Sequence, residues 1–118
     1  MKQIIAIIRP KLYFKTKDAL SENRFFAMST KEVLGRGRKN VDFTANEGNI
    51  NQKNIYNDTL IAKKMIEIIV RDNEVDKVVD IIMSVNKSNS NGDGKIFIIP
   101  VEDSIRIHTG EKGEEALM

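Results

Sequence analysis

Cysteine is absent from this sequence, which excludes a disulfide framework and any thiolate metal site. Secreted domains of this size are commonly stapled by disulfides, so the absence points toward a cytoplasmic protein. Histidine occurs once, as His108; a zinc site would need mostly carboxylate ligands, and no metal site is expected. Charge of one sign is missing too, since 19 basic and 17 acidic residues leave a formal +2. Such balance argues against nucleic acid as a partner, because an electrostatic footprint needs basic residues gathered on one face. Long hydrophobic runs are lacking as well. The opening MKQIIAIIRP stops at Arg9–Pro10, short of a signal-peptide core and far short of a membrane span, so no membrane insertion is expected. What is present is a chain of 118 residues, 41% apolar, long enough for one domain with a real core and too short for two.

Residues 3–8 are almost wholly apolar and rich in isoleucine, which predicts a strand with Ile4, Ala6 and Ile8 on one face and Ile5 and Ile7 on the other. Pro10 ends it. Leu12, Thr16, Ala19 and Leu20 share one side of a predicted helix over about 12–23. A second strand is expected at 29–34, closed by Gly35-Arg36-Gly37. Residues 39–59 carry six asparagines and no apolar period. A loop of roughly twenty residues is uncommon in a compact domain and is usually functional or disordered.

Order returns at 61–70, where Ile66, Ile68 and Val70 alternate with Met65, Glu67 and Ile69. Asp72 reads as the N-cap of a helix over 73–85, whose Val75, Val78, Val79, Ile82 and Val85 follow helical spacing. A polar turn at 86–94, a strand at 95–99 and a short last strand at 104–108 complete the pattern. Strand–helix–strand twice over is the split βαβ arrangement, an α+β ferredoxin-like βαββαβ sandwich. Its two helices cover one face of a four-stranded sheet. The first and third strands are apolar on both faces, so self-association through the sheet is the simplest way to cover the second.

Gly92-Asp93-Gly94-Lys95 stands at the mouth of a strand. Glycines let backbone amides approach an anion, and the adjacent lysine adds a charge that suits phosphate. A tight turn entering a strand explains the same residues without a ligand, and both readings stand. GxxxxGK[ST] does not occur. Arg36, Arg38 and Lys39 around Gly35 and Gly37 make a second anion-compatible segment, with a solvated, positively charged loop start as the alternative. Catalytic signals are few. No nucleophile elbow accompanies any serine, and Glu74, Asp76 and Asp80 are expected on the solvated face of the second helix.

The stretches IIAIIRPK (4–11), KEVLGRGR (31–38), IEIIVRDNEVDKVVDII (66–82), GDGKIFIIPVE (92–102) and IRIHTGEKGEEAL (105–117) together resemble the PII signal-transduction proteins over essentially the whole chain. The resemblance implies a ferredoxin-like fold, a homotrimer, and ATP or ADP bound in clefts between subunits. It further implies 2-oxoglutarate read through a surface T-loop at about 39–59. Gly92, Asp93, Gly94 and Lys95, within a phosphate loop at about 87–95, match the nucleotide set, with Gly37 and Arg38 at the T-loop base. Arg106, His108, Ser29 near the adenine, and Ile69 complete that set. Lys63 and Lys39 match positions for 2-oxoglutarate, and Tyr56 is a candidate modification site. Implied partners are an ammonium channel, glutamine synthetase or nitrogenase. The longer loop and the Gly-Arg-Gly form lean toward the nitrogenase-regulating subgroup.

Four departures from the family pattern bear on function. Lys39 replaces a glutamine that helps hold magnesium, and a protonated lysine cannot ligate that ion. Val41 replaces a glycine. His108 replaces an arginine, which implies a weaker phosphate grip at neutral pH. Ser88-Asn89 replaces Thr-Gly. The leading reading is therefore a ligand-gated regulator and not an enzyme. A PII-like sensor with the same nucleotide cleft but a different small effector is the alternative, and a weak nucleotide hydrolase or a nucleic-acid binder stands behind both.

Overall fold

A computed structural model describes residues 1–36 and 60–117. The segment 39–59 expected as a T-loop, and with it Lys39 and Tyr56, lies outside the described residues, as do Gly37 and Arg38. Four strands, β1 (Lys2–Ile8), β2 (Ser29–Gly35), β3 (Ile61–Val70) and β4 (Lys95–Pro100), form one sheet in the order β2-β3-β1-β4. Every neighbouring pair is antiparallel. Helices α1 (Tyr13–Glu22) and α2 (Val75–Asn86) pack together on one face. The architecture is the ferredoxin-like α+β fold.

Period-2 alternation in β1 and β3 decides which side chains meet the helices. Ile4, Ala6 and Ile8 pair in register with Ile68, Ile66 and Lys64. The isoleucines and Ala6 of this face are buried with Val70, Leu20, Val78 and Ile82, forming the core. On α2, Val78 and Ile82 stand four apart and point at the sheet, as helical spacing requires. A polar contact ties the helices together. Asn86 donates from Nδ2 to Thr16 Oγ1 (3.0 Å) and to the Ile82 carbonyl (2.9 Å), while Thr16 donates to the Leu12 carbonyl (2.7 Å). A buried β-branched polar residue is tolerable inside α1 because its hydroxyl has both a donor and an acceptor role.

The chain turns after α1 in a Schellman arrangement. Phe25 N–H reaches the Leu20 carbonyl at 2.9 Å and Arg24 N–H the Ser21 carbonyl at 2.9 Å. The left-handed position falls on Arg24, with φ 68°, where glycine is the usual occupant.

Two expected details differ. Asp72 does not cap α2. It opens a 3-10 turn, Asp72–Glu74, and its carboxylate takes the Met1 ammonium at 3.0 Å and Lys2 Nζ at 3.2 Å. Hydrogen bonds from that ammonium and from Lys2 lower its pKa below the ordinary carboxylate value. Glu74 serves the turn instead, accepting the Arg71 N–H at 3.0 Å. The last strand, expected at 104–108, is only a single bridge, Ile105 to Lys112. The segment folds back on itself: Arg106 N–H bonds the Glu111 carbonyl (2.8 Å), and Gly113 N–H bonds that of Ser104 (2.9 Å). These bonds turn the backbone of the segment toward its own hairpin and not toward the sheet.

Candidate functional site

The loop between α2 and β4 is built on the end of β1. Gly94 has φ +113°, and a Cβ there would lie 1.9 Å from the Ile7 carbonyl oxygen. Only glycine fits so close to another backbone. Gly92 has φ +95°, and a Cβ on it would come within 3.2 Å of Arg9 Nη2. Asn89 is also left-handed, φ 62°, and asparagine is the non-glycine residue that tolerates this region best.

Within the loop, Asp93 faces inward. Its carboxylate accepts the Ser88 N–H at 2.7 Å, the Ser88 hydroxyl, and Arg9 Nη1 at 2.8 Å. The Ser88 hydroxyl and backbone N–H hold its pKa down at about 2, helped by the Ser90 N–H and by the Arg9 charge. The Asp93 side chain is thus an internal anchor, and its contribution to an incoming anion would be its backbone N–H. Lys63 Nζ donates to the Gly92 carbonyl at 2.7 Å, so β3 also holds the loop. Lys95 follows at the start of β4 with its side chain exposed. Behind the loop, α2 and β4 leave a cleft of about 570 Å³ lined in part by Ile8, Val79, Ile82, Asn86 and Lys95.

The other expected site residues lie elsewhere. Ser29 is exposed on β2, the opposite edge of the sheet from β4. Three strand spacings, roughly 14 Å, separate those edges. Ile69, 40% exposed, pairs with Gln3 on the face away from the helices. Arg106 and His108 follow β4 past its far end. Five residue steps from Lys95 to Pro100 amount to about 17 Å. Arg106 is kept there by Glu111 Oε2 at 3.3 Å and the Glu115 carbonyl at 3.0 Å. Glu114 of the same segment stands 3.9 Å from Arg71, just beyond β3. His108 is exposed in a turn. One chain therefore assembles Lys63 and Gly92 to Lys95 into a cluster, and holds Ser29, Ile69, Arg106 and His108 away from it.

Sequence reasoning missed Arg9, Ser90 and Asn91, which shape the loop, and noted Ser88 only as a departure from the family pattern. The signal available was weak: an arginine wedged between a strand and a proline, and two serines in a polar turn. Among the described residues, no three histidine, aspartate or glutamate side chains gather closely enough to hold a metal ion, and no helix is long and apolar enough to cross a membrane.

The sequence model described as nitrogen regulatory protein P-II matches residues 1–111. A "Nitrogen fixation nifHD region GlnB-like protein 2" of Methanobacterium ivanovii is 40% identical and aligns over the whole of both chains. A "Nitrogen regulatory protein P-II" of Microchaete diplosiphon is 41% identical, covering 99% of this chain and all of that one. Among solved structures, Arabidopsis thaliana PII bound to citrate superposes with a TM-score of 0.76 at 29% identity, covering 98% of this chain and 88% of the other.

Proposed function

The chain belongs to the nitrogen regulatory protein P-II family, whose members are signalling proteins and not enzymes, and from that premise we propose that it binds ATP or ADP between the subunits of a homotrimer. The observation that carries this reading is the division of the expected nucleotide residues. Gly92 to Lys95 sit at one corner of the sheet, while Arg106 and His108 lie beyond the far end of β4 and Ser29 is on the other edge. A polyphosphate needs donors from several elements, and a second copy is the direct way to bring the missing ones to the loop. The apolar face of the sheet opposite the helices supports the same association. Ile69, Phe97 and Ile99 are 40%, 47% and 40% exposed there, a contiguous patch that calls for a partner surface.

The nucleotide would control a target protein through the segment 39–59, by binding more tightly to the state of the protein that the target recognises. Nitrogen metabolism is the field of action indicated by the relatives' names. A nitrogenase-linked target fits best, with an ammonium channel or glutamine synthetase as the other choices, all reached from the cytoplasm. For 2-oxoglutarate, Lys63 is the residue of interest. Its ammonium already holds the Gly92 carbonyl, so a dicarboxylate drawing on Lys63 would alter the phosphate loop, and the two ligands would be thermodynamically linked. Lys39 favours a second reading, a sensor with the same cleft and an effector other than magnesium-bridged 2-oxoglutarate.

Calorimetry with ATP and ADP, each with and without 2-oxoglutarate and magnesium, tests both readings. ATP binding that weakens by about 1.5–3 kcal/mol in Lys95→Ala, the range for a hydrogen bond to a charged group, is the expected result. Unchanged affinity in a folded Lys95→Ala variant removes the site. Tight 2-oxoglutarate binding with a strict magnesium requirement removes the second reading.

A further inference from the structure

We propose that Arg9 is the positioning residue of the 87–94 loop: its guanidinium sets the anion-binding shape before any ligand arrives, and it does so without contacting the ligand. The function of that shape rests on the nucleotide reading above, whereas the staple itself rests on geometry. From the end of β1, Arg9 Nη1 donates to Asp93 Oδ1 at 2.8 Å and to Ser88 Oγ at 3.2 Å. Nη2 donates to Ser90 Oγ at 3.1 Å and to the Asn91 carbonyl at 2.9 Å. One planar fork thus fixes four residues of a polar loop, with both partners of the Arg9–Asp93 pair about one-fifth exposed. A lysine presents a point charge and lacks the fork needed to hold side-chain and backbone acceptors on two nitrogens.

The loop is clamped from two sides. Gly94 passes against the Ile7 carbonyl and Gly92 against Arg9 Nη2, and neither contact leaves room for an unstrained side chain. Ser88 directs both its backbone N–H and its hydroxyl to the Asp93 carboxylate, so that carboxylate fills the first half of the loop from within. Arg9 balances the charge placed there. An anion arriving from outside then meets the second half, Gly92 to Lys95, in a conformation already fixed. Ordering carried out during folding does not have to be repeated on binding, which is how preorganisation raises affinity.

The sign of the pH dependence follows. Asp93 has a lowered pKa of about 2 in the folded chain, so the stabilising effect of the staple is present above the ordinary carboxylate range and is lost as pH falls through about 2.

The test compares Arg9→Met, Arg9→Lys, Asp93→Asn and Lys11→Met, the last a charge-loss control on an exposed neighbour. Hydrogen exchange at the Ser88 amide, the NMR titration of the Asp93 carboxyl and ATP calorimetry are read together. Arg9→Met should lose amide protection, raise the Asp93 midpoint toward the ordinary value, and weaken ATP by roughly tenfold, about one charge-assisted hydrogen bond's worth. Arg9→Lys should recover only part of this, Asp93→Asn should match the loss of protection, and Lys11→Met should change none of the three. Native protection in Arg9→Met, or full rescue by lysine, overturns the proposal. Should the natural chain fail to bind ATP, the nucleotide reading falls, while exchange and titration still decide whether Arg9 holds the loop.

Discussion

The two faces of the sheet use the same strands and the same kinds of residue, yet they end in different environments. Toward the helices, Ile4, Ala6, Ile66 and Ile68 are buried. One residue away along the same strands, Ile5, Ile7 and Met65 are half-buried and Ile69 is exposed, joined by Phe97 and Ile99 from β4. Glu67 sits among these apolar residues, but it is paired with Lys31 at 3.0 Å and accepts a weak bond from Gln3 at 3.4 Å. The lesson is that the fold of one chain employs half of its apolar sheet surface. The other half stays open to solvent in the single chain, and it is the surface that the proposed assembly would cover.

The sharpest test of the contrast is a matched pair of truncations. Ile66→Ala on the covered face should destabilise the chain by about 2–5 kcal/mol, the range for large-to-small changes in a packed core. Urea unfolding should show that loss at every protein concentration. Phe97→Asp on the open face should do the reverse. It should weaken self-association by about 1.5–3 kcal/mol per copy, the value of burying one such side chain, and leave the unfolding of the separate chain nearly unchanged. Light scattering over a concentration series distinguishes the two. Equal destabilisation at high dilution would erase the difference between the faces. A smaller effect sharpens the account of the covered face alone. Arg24 closes α1 at φ 68°, a conformation that costs a residue bearing a Cβ about 1–2 kcal/mol. Glycine recovers that strain at an entropic cost of about 0.5–1 kcal/mol. Arg24→Gly should therefore raise stability by about 0.5 kcal/mol, visible as a small increase in the urea midpoint with no change in assembly.

Much of the fold was legible because its signals are local. Alternation in 61–70 and helical spacing from Val75 to Val85 predicted β3 and α2 to within a few residues. The apolar character of both faces of β1 and β3 also came through, since a period of two sorts residues onto faces without reference to anything else. Asp72 was misjudged as a cap because two cations, on Met1 and Lys2, compete for its carboxylate. Those partners are seventy residues away in sequence. The strand expected at 104–108 failed because its backbone found partners within its own turn. Asn86 looked like the start of a polar turn, yet it is buried against Thr16 across the helix pair.

The candidate site divides along the same line. Gly92, Gly94 and Lys95 announce an anion-compatible turn because glycine and lysine carry their chemistry with them, whatever surrounds them. The sequence by itself determined the elements, the doubly apolar sheet and the residue types suited to a phosphate, since each depends on spacing over a few residues. Only the tertiary structure decided that Arg9 and Asp93 lock together across the loop. It also decided that Lys63 reaches Gly92, and that Arg106 and His108 stand beyond the other end of the sheet. Those facts depend on how β1, β3 and β4 align, and strand register is settled by the packing of the whole sheet against its helices.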